Sequence, residues 1–600
     1  MDNRKLPTRE EADNQYKWAI EDLYADDAQW EKDFELLEAE VEKLGRFKGH
    51  VGDSADSLLE TLRADDSISK IAEKVYVYAN QRLHENTGNS KYQDYSGKAQ
   101  NIMVRLSAAT SYVTPEILDI PDAVLAEYLE SENGIKEYTQ FLANIVRQKS
   151  HILSHEMEKL LADMGEVAEG PKNIFSMFNN ADLKFGEITD EEGKAVELTH
   201  GRYVGFLESR NRDVRREAFK AMYKAYGAFR NTLGASFSAN VKQQVFFSKT
   251  RKYPSSLAAA LDGSNVPVEV YDNLIETVHG GLDVMHRYVA LRKKLLGVEE
   301  LHMYDLYVPM VEDVTMKIPF EEAKKIVREG LEPLGQDYQE LLECGFNGGW
   351  IDVYENQGKR SGAYSWGAYG THPYVLLNYQ DNLNNVFTLA HEMGHALHSY
   401  YSDEAQPYIY AGYRIFVAEV ASTCNESLLI HHLIEKTEDR KQKAYLINYF
   451  LEQFRGTLFR QTMFAEFEKT AHAMVEEGKV LTAESLCEVY YGLNKKYFGE
   501  AITADEEIAL EWARIPHFYT PFYVYQYATG FSAAIALSQR ILKEGGIAVE
   551  DYRKFLKGGS SDYPIELLKM AGVDMTEKTP VESALKVFEK YLDKLEELLK

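Results

Sequence analysis

Apolar residues recur at spacings of three and four along most of this chain, a spacing typical of one buried face of a helix. This pattern dominates the first 180 residues, resumes at residue 213, and continues from residue 386 to the end. The clearest helices are predicted over residues 30–43, 55–63, 67–83, 94–110, 135–161 and 580–600. Only 15 of the 600 residues are proline, so we predict a mainly α-helical protein without long proline-rich linkers.

Short β-prone segments interrupt this helical pattern. Residues 183–198 contain Glu192-Gly193 between two such runs, which predicts a hairpin. Two further patches lie at residues 301–308 and 350–379. We place a domain boundary after the hairpin, giving an N-terminal helical lobe over residues 1–200 and a second domain over residues 201–600.

Charge and composition exclude several classes of partner. The formal net charge is −28, so we predict no nucleic acid partner and no binding to an anionic membrane surface. No run of 18 apolar residues exists, and the N-terminus lacks the apolar stretch of a secretory signal. Three widely spaced cysteines fit a reducing compartment. We therefore expect a cytoplasmic protein with no obligatory protein partner.

Residues 388–397 carry the most informative chemistry of the chain. His391 and His395 are four apart, so on a helix both imidazoles face the same way and can bind one metal ion. Glu392 follows the first of them and flanks that site, where it can accept a proton from water. A catalytic zinc ion needs a third protein ligand and one open position. The segment that begins with His155-Glu156 starts in the same way, but it has Lys159 where the second histidine belongs, so we expect no zinc there.

The spacing to the third ligand separates classes of zinc enzyme. A metzincin pattern would need Gly and His where this chain has His398 and Tyr401, and a thermolysin pattern would need Glu where it has Arg414. The first well-placed acid on a helical stretch is Glu419. Glu426 lies seven residues later on the same face, where it can orient a ligand histidine from behind.

These motifs resemble the thimet-oligopeptidase family of zinc metallopeptidases, and within it the oligoendopeptidase F branch. The His-Glu-x-x-His motif is followed after 23 residues by Glu-Val-x-Ser-x-x-x-Glu. The resemblance implies one zinc ion per chain on His391, His395 and Glu419, with Glu392 as the general base. It also implies a two-lobed helical shell around a deep substrate channel, with residues 201–600 as the catalytic domain.

The glycine-rich segment upstream of the motif belongs to the same resemblance. Residues 358–365 and 373–379 read as two short strands, which predict a small β-sheet beside the zinc helix. An exposed strand edge can bind an extended peptide through main-chain hydrogen bonds. Gly362, Ala363 and Tyr364 are therefore candidate substrate-binding residues, and the alternative is an ordinary glycine-rich loop.

A third group of candidate site residues, after the metal-binding motif and the glycine-rich segment, lies at residues 515–530. Thr520 followed by Pro521 predicts the start of a helix, which would place Tyr523 and Tyr527 on one face. The resemblance implies that His517, Tyr523 and Tyr527 contact the substrate and the developing oxyanion. Aromatic residues at helical spacing also commonly form a core, and that alternative stays open.

Together these motifs predict a zinc-dependent endopeptidase that hydrolyses internal bonds of short, unstructured oligopeptides. One alternative is an exo-acting zinc peptidase, a carboxydipeptidase or aminopeptidase, in which Arg360, Arg414 or Arg514 captures a peptide terminus. Another is a non-catalytic, zinc-stabilised peptide-binding protein, which the presence of Glu392 disfavours.

Overall fold

The computed structural model describes residues 5–131, 133–311 and 316–600. Helices make up most of this described chain, which confirms the mainly α fold. In the first half they are α1 Asp27–Lys43, α2 Ala55–Glu85, α3 Ser90–Thr110, α4 Val113–Asp119, α5 Asp122–Glu130, α6 Thr139–Arg147, α7 His155–Ala168, α8 Gly170–Met177, α9 His200–Leu207, α10 Arg212–Gly227, α11 Arg230–Thr250, α12 Ser256–Asp262, α13 Val268–Gly280 and α14 Leu282–Leu296. In the second half they are α15 Phe320–Gly330, α16 Gln336–Asn347, α17 Leu383–Ala405, α18 Tyr408–Ala411, α19 Ile415–Lys436, α20 Arg440–Gln453, α21 Arg460–Glu476, α22 Ala483–Phe498, α23 Tyr525–Glu544, α24 Gly546–Leu556, α25 Pro564–Met570 and α26 Thr579–Leu598.

The helical periodicity located most of these elements, with two differences. The helices predicted over residues 55–63 and 67–83 are one continuous helix, α2, because no glycine or proline interrupts residues 55–85. The single helix predicted over residues 135–161 is wrong. Residues 148–151 form a 3-10 turn and residues 152–154 have no regular secondary structure, so α6 and α7 are separate helices.

The strands are short: β1 Glu187–Thr189, β2 Ala195–Glu197, β3 Leu301–His302, β4 Ile351–Asp352, β5 Tyr364–Trp366, β6 Tyr374–Leu376 and β7 Ile502–Thr503. Strands β1 and β2 are antiparallel and form the predicted hairpin, in which Gly193 adopts a φ of 78°. Strand β3 pairs in parallel with β7. Strands β4, β6 and β5 form a three-stranded sheet in that order.

The chain divides into two compact units, each built from three segments. The first unit comprises residues 1–150, 315–432 and 537–572. Its N-terminal part packs around α1, α2 and α3, where the Trp30 indole stacks on Tyr95 with ring centroids 4.0 Å apart. The β4–β6–β5 sheet and helix α17 also belong to this unit, and β5 and β6 contact α17. The predicted small sheet therefore lies beside the helix that carries the His-Glu-x-x-His motif.

The second unit comprises residues 151–314, 433–536 and 573–600. Helices α10, α11 and α22 pack there around the 3-10 segment Glu506–Arg514, and α21 packs against α11 and α22. Neither unit is a single continuous stretch of chain. The domain boundary that the sequence predicts at residue 200 stays a prediction. Among the described residues, no helix is long and apolar enough to cross a membrane.

Candidate metal centre

Helix α17 holds both histidines of the motif. Its N-cap is Asn382, whose side chain accepts a hydrogen bond from the Asn385 backbone N–H at 3.0 Å. The apolar residues around the motif, Leu389, Ala390, Met393, Ala396 and Leu397, are all fully buried. Burial of this face fixes the rotation of α17 and leaves His391 and His395 half-buried on another side.

Helix α19 carries Glu419 and crosses α17 at very short range. The crossing point is Gly394, within the motif itself, where a Cβ atom would lie 2.6 Å from the Cα of Ser422 and 2.9 Å from the carbonyl oxygen of Ala421. Contacts that short do not occur for real Cβ atoms. Glycine at position 394 therefore allows the two helices to approach closely enough for their side chains to share one site.

Three side-chain atoms converge at this crossing. His391 Nε2 and His395 Nε2 are 3.2 Å apart, and Glu419 Oε2 lies 3.3 Å from the first and 3.4 Å from the second. These are the only histidine, cysteine or acidic side chains in the described part of the chain that form such a group of three.

The shape and chemistry of this triangle fit a zinc ion. A tetrahedral zinc ion about 2.0–2.1 Å from its nitrogen and oxygen ligands would hold them about 3.3–3.4 Å apart, which matches the observed distances. Two imidazoles and one carboxylate are also the ligand set of many catalytic zinc sites, which keep a fourth position for water. The donor atoms are therefore arranged for a metal ion.

Two further side chains support this group. Glu426 Oε1 lies 3.4 Å from Nδ1 of His391, the ring nitrogen that faces away from the triangle. The Ser422 hydroxyl donates a hydrogen bond to Glu419 Oε2 at 3.0 Å. Contacts of this kind fix the tautomer of an imidazole and the orientation of a carboxylate.

Asn425 is a supporting residue that sequence reasoning missed. It is fully buried, donates a hydrogen bond to the carbonyl oxygen of Ala390 at 3.1 Å, and accepts one from the Tyr338 hydroxyl at 3.0 Å. It thereby joins α16, α17 and α19 next to His391. The available signal was its spacing of four from Ala421 and of three from Leu428, both apolar, because a polar side chain on a buried face needs hydrogen-bond partners.

The electrostatics of the centre are strongly coupled. Burial alone would lower the pKa of His391, but the Glu419 and Glu426 carboxylates hold it well above its usual range. Burial would raise the pKa of Glu419, and the two imidazoles outweigh this and lower it strongly. Glu392 is 7% exposed, and its burial raises the pKa of its carboxyl group despite the nearby histidines. A raised pKa brings Glu392 closer to the range useful for a general base.

The candidate peptide-binding segment lies at the start of β5. Tyr364 pairs with Leu376 of β6, and the other edge of β5 has no strand partner among the described residues. Gly362 is exposed with a φ of 86°, and its carbonyl oxygen accepts a hydrogen bond from Asn378 at 2.8 Å. Ala363 is half-buried between them.

His84 of α2 holds this segment in place. Its Nε2 lies 2.8 Å from Arg360 Nη1, and its Nδ1 lies 2.7 Å from the Tyr364 hydroxyl. Burial and the Arg360 charge lower the pKa of His84 to about 4, so the ring is neutral near pH 7. Since a guanidinium can only donate, Nε2 accepts and Nδ1–H donates to Tyr364.

The third group of candidate residues, His517, Tyr523 and Tyr527, belongs to the second unit, whereas the metal ligands belong to the first. The ring of His517 lies 5.9 Å from Tyr523 and 6.1 Å from Tyr527, and the two tyrosine rings are 5.5 Å apart. The three side chains therefore cluster. Burial, and then the charge of Arg460, lower the pKa of His517.

The predicted helix start at Thr520 and Pro521 is wrong, because α23 begins at Tyr525. Phe522 adopts a left-handed φ of 49°, which interrupts a helix, and its backbone N–H donates to the buried carboxyl group of Glu468 at 2.6 Å. Tyr523 therefore lies in a turn. It meets Tyr527 through the shape of that turn and not through helical spacing.

The three arginines considered for binding a peptide terminus have different environments. Arg360 contacts His84, and Arg414 is exposed. Arg514 donates hydrogen bonds to Glu511 at 3.0 Å and to the Tyr223 hydroxyl at 3.3 Å. Two of these side chains thus already have protein partners.

Comparison with known families decides the class of this protein. The model of peptidase family M3 matches residues 206–587, and that of oligopeptidase F matches residues 116–185. The chain belongs to peptidase family M3. It is therefore a peptidase. The resemblance to a peptidase family that the motifs indicated is confirmed to the extent of membership in family M3.

Relatives of this M3 peptidase match it along nearly its whole length. Oligopeptidase PepF of Bacillus subtilis (strain 168) is 50% identical, over 99% of this chain and 89% of the relative. The crystal structure of oligoendopeptidase-F from Enterococcus faecium superposes with a TM-score of 0.74 at 38% identity, covering 96% of this chain and 99% of that one. A crystal structure from Chlamydophila abortus gives a TM-score of 0.92 at 34% identity, covering 99% and 100%.

Proposed function

We propose that this M3 peptidase is a zinc-dependent endopeptidase that hydrolyses internal bonds of short, unstructured oligopeptides. The main support is the triangle of His391, His395 and Glu419, whose three distances of 3.2–3.4 Å fit one tetrahedral zinc ion. The names of its relatives, oligopeptidase PepF and oligoendopeptidase F, support oligopeptides as the substrate class.

In this proposal, His391, His395 and Glu419 hold one zinc ion, which when bound lowers the pKa of water and polarises a carbonyl group. Glu392 accepts the proton of the attacking water and returns it to the leaving amine nitrogen. Its burial raises its pKa despite the two nearby histidines, and a raised pKa suits both transfers. Glu426 keeps the His391 ring oriented through Nδ1.

The remaining roles follow from the family resemblance and from local geometry. His517 and Tyr523 would donate hydrogen bonds to the oxyanion that forms on the attacked carbonyl, and Tyr527 would contact the substrate. Strand β5, which begins at Tyr364, and the two residues before it, Gly362 and Ala363, would pair with the extended peptide backbone. We further propose that the peptide reaches this site through a channel, that residues 201–600 are the catalytic domain, and that the enzyme acts in the cytoplasm.

The decisive experiment separates loss of chemistry from loss of metal. Glu392→Gln removes the base but no ligand, so we expect turnover of an internally quenched peptide to fall by at least about 10²-fold. Zinc content, measured by elemental analysis, should stay at one ion per chain. Full activity of this variant would contradict the role of Glu392.

The chain supplies its own control for this substitution. Glu156 also follows a histidine, in the segment His155-Glu156-Met157-Glu158-Lys159, and it is exposed at the start of α7. Glu156→Gln should leave both activity and zinc content unchanged. Chelation should abolish wild-type activity, and added zinc should restore it.

Product mapping distinguishes endo-action from exo-action. A peptide blocked at both termini should be cleaved at internal bonds as readily as its unblocked form. If blocking one end abolishes cleavage, the enzyme recognises a free terminus, and Arg414, which is exposed, becomes the first residue to replace.

A further inference from the structure

Glu468 is a fully buried acidic residue that the proposed mechanism does not use. It lies on α21, in the second unit. Its Oε1 accepts a hydrogen bond from the backbone N–H of Phe522 at 2.6 Å, and its Oε2 has no hydrogen-bond partner in the described part of the chain. Buried polar atoms without a partner are rare in folded proteins, so this one points to a specific requirement for a carboxyl group here.

The carboxyl group of Glu468 carries a proton. Burial raises its pKa well above the usual range, although the hydrogen bond from the Phe522 N–H lowers it. The titratable side chains beside it are neutral as well, because burial raises the pKa of Tyr271 and lowers the pKa of His472 to about 4. Glu468 therefore acts as a neutral hydrogen-bond acceptor and not as a member of an ion pair.

The hydrogen bond to Glu468 is made by a residue with a strained backbone. Phe522 has a φ of 49°, in the left-handed region that a bulky side chain rarely adopts. Such a conformation persists only where the surrounding structure holds it, and it occurs mainly at functional sites. The Phe522 ring is buried, with its centroid 4.4 Å from that of His472 and 5.8 Å from that of Tyr271. Packing thus holds the side chain of Phe522, and Glu468 holds its backbone.

The turn that contains Phe522 also carries residues proposed to contact the substrate. Tyr523 follows Phe522 directly, and its ring lies 5.9 Å from that of His517 and 5.5 Å from that of Tyr527. The φ of Phe522 sets the direction in which the chain leaves that residue. A negative φ there would turn Tyr523 away from His517 and Tyr527.

The His517 end of this turn has anchors of its own. Asn240 of α11 donates a hydrogen bond to the carbonyl oxygen of Phe518 at 3.2 Å. Phe175 of α8 stacks on Tyr519, with ring centroids 4.4 Å apart. Loss of the bond to Glu468 should therefore displace Tyr523 and leave His517 in place.

We propose that Glu468 is a positioning residue of this peptidase, which orients Tyr523 by holding the backbone of Phe522 in its left-handed conformation. The inference rests on the proposed role of Tyr523 as a donor to the oxyanion. It gives Glu468 no contact with the substrate and no part in proton transfer. A donor that is oriented before the reaction stabilises the oxyanion without further reorganisation, and this orientation is what Glu468 supplies.

Glu468→Met tests this role, because it keeps an unbranched side chain and removes the hydrogen-bond acceptor. A donor to the oxyanion acts in the transition state, so kcat should fall while KM stays nearly constant. We expect a fall of about 10²-fold, the effect that a displacement of about 1 Å can have. Glu468→Gln keeps an oxygen that can accept the same N–H, so it should restore kcat to nearly the wild-type value. Unchanged kcat in Glu468→Met, or an equal fall in both variants, would overturn the proposal.

Combination with Tyr523→Phe separates positioning from a general loss of structure. If Glu468 acts through Tyr523, the double variant should be no slower than Tyr523→Phe alone. Additive losses would overturn the link between Glu468 and Tyr523 and leave the role of Tyr523 intact. Full activity of Tyr523→Phe would contradict the proposed oxyanion role of Tyr523 itself, and with it this proposal.

Glu466→Met is the matched control on the same helix. Glu466 has more hydrogen-bond partners than Glu468, since His279, Tyr497 and Lys496 lie 2.6, 2.8 and 3.0 Å from its carboxylate. Its loss should lower the midpoint of thermal unfolding and leave kcat and KM unchanged. A fall in kcat equal to that of Glu468→Met would show that any weakening of α21 is sufficient, and would overturn the proposal.

A crystal structure of the wild-type zinc enzyme with a phosphinic peptide, which mimics the tetrahedral intermediate, needs no variant. The Tyr523 hydroxyl should lie within hydrogen-bond distance of a phosphinate oxygen while the Phe522 N–H still contacts Glu468. Tyr523 in that position with the bond between Phe522 and Glu468 broken would refute the proposal, even if Glu468→Met failed to fold. Tyr523 remote from the phosphinate would instead contradict its role at the oxyanion.

Discussion

Single side chains in the metal centre act mainly by orienting other side chains. Ser422 contacts Glu419, and Glu426 contacts the outer nitrogen of His391. Neither residue belongs to the triangle of donors. Both nevertheless restrict the rotation of a donor, and a ligand that is already oriented loses less conformational freedom when a metal binds.

Glu426→Gln should therefore weaken metal binding without removing a ligand. We expect the dissociation constant for zinc, measured by competition with a chromogenic chelator, to rise about 10–100-fold. Glu435→Gln is the control, because Glu435 lies on the same helix and is exposed. Equal affinities for the two variants would argue against a role for the Glu426 contact.

Asp403, on the last turn of α17, makes stability depend on pH. Burial, followed by the charges of Glu73 and Glu404, raises its pKa to about 7. An aspartate in an unfolded chain titrates near about 3.9, so the folded state keeps the proton where the unfolded state has lost it. Stability should therefore fall as the pH rises from about 4 to 7.

Asp403→Asn should remove this penalty. At pH 8 we expect the free energy of unfolding to increase by about 2 kcal/mol, and at pH 4 we expect little change. Urea denaturation of both proteins at the two pH values measures the difference. An increase of the same size at both pH values would show that the charge of Asp403 is not its cause.

At the level of elements, the centre depends on how closely two helices cross. The sequence predicted that α17 and α19 each carry ligands on one face, and the structure has both helices. The distance between them is set by Gly394 against Ser422, and by the hydrogen bond from Asn425 to Ala390. A helix pair of ordinary separation would leave Glu419 out of reach of the histidines.

Gly394→Ala should push the two helices apart. Steric overlap with Ser422 should lower the free energy of unfolding by about 1–3 kcal/mol, although alanine favours a helix. Zinc affinity should fall as well, and chelator competition measures this. The matched control is Gly492→Ala in α22, where an added Cβ meets nothing within 4 Å and should stabilise the protein by up to about 1 kcal/mol.

For the molecule as a whole, the net charge of −28 should affect which peptides reach the site fastest. Electrostatic attraction at long range raises association rates for ligands of opposite charge, and salt screens it. We expect kcat/KM for a peptide of charge +2 to exceed that for a matched peptide of charge −2 at about 0.05 M sodium gluconate. The difference should shrink at about 0.5 M; a ratio independent of salt would show that net charge does not steer the substrate.

The sequence alone determined the helical class, the hairpin, the position of the small sheet along the chain, and the peptidase family. These features depend on local periodicity and on motifs of fixed spacing, which can be read residue by residue. Prediction failed where a distant partner overrode local preference. The turn at Phe522 is the clearest case, because the Glu468 carboxyl group, 54 residues away, accepts its backbone N–H.

Tertiary structure decided which side chains meet. The convergence of Glu419 with His391 and His395 depends on a helix crossing that no spacing specifies, and the contact of Asn425 with Ala390 depends on the same crossing. A cavity in the second unit is likewise lined by residues 203–307 and 455–514, two stretches that are far apart in the chain. Such contacts arise from packing between elements, and a linear pattern does not record packing.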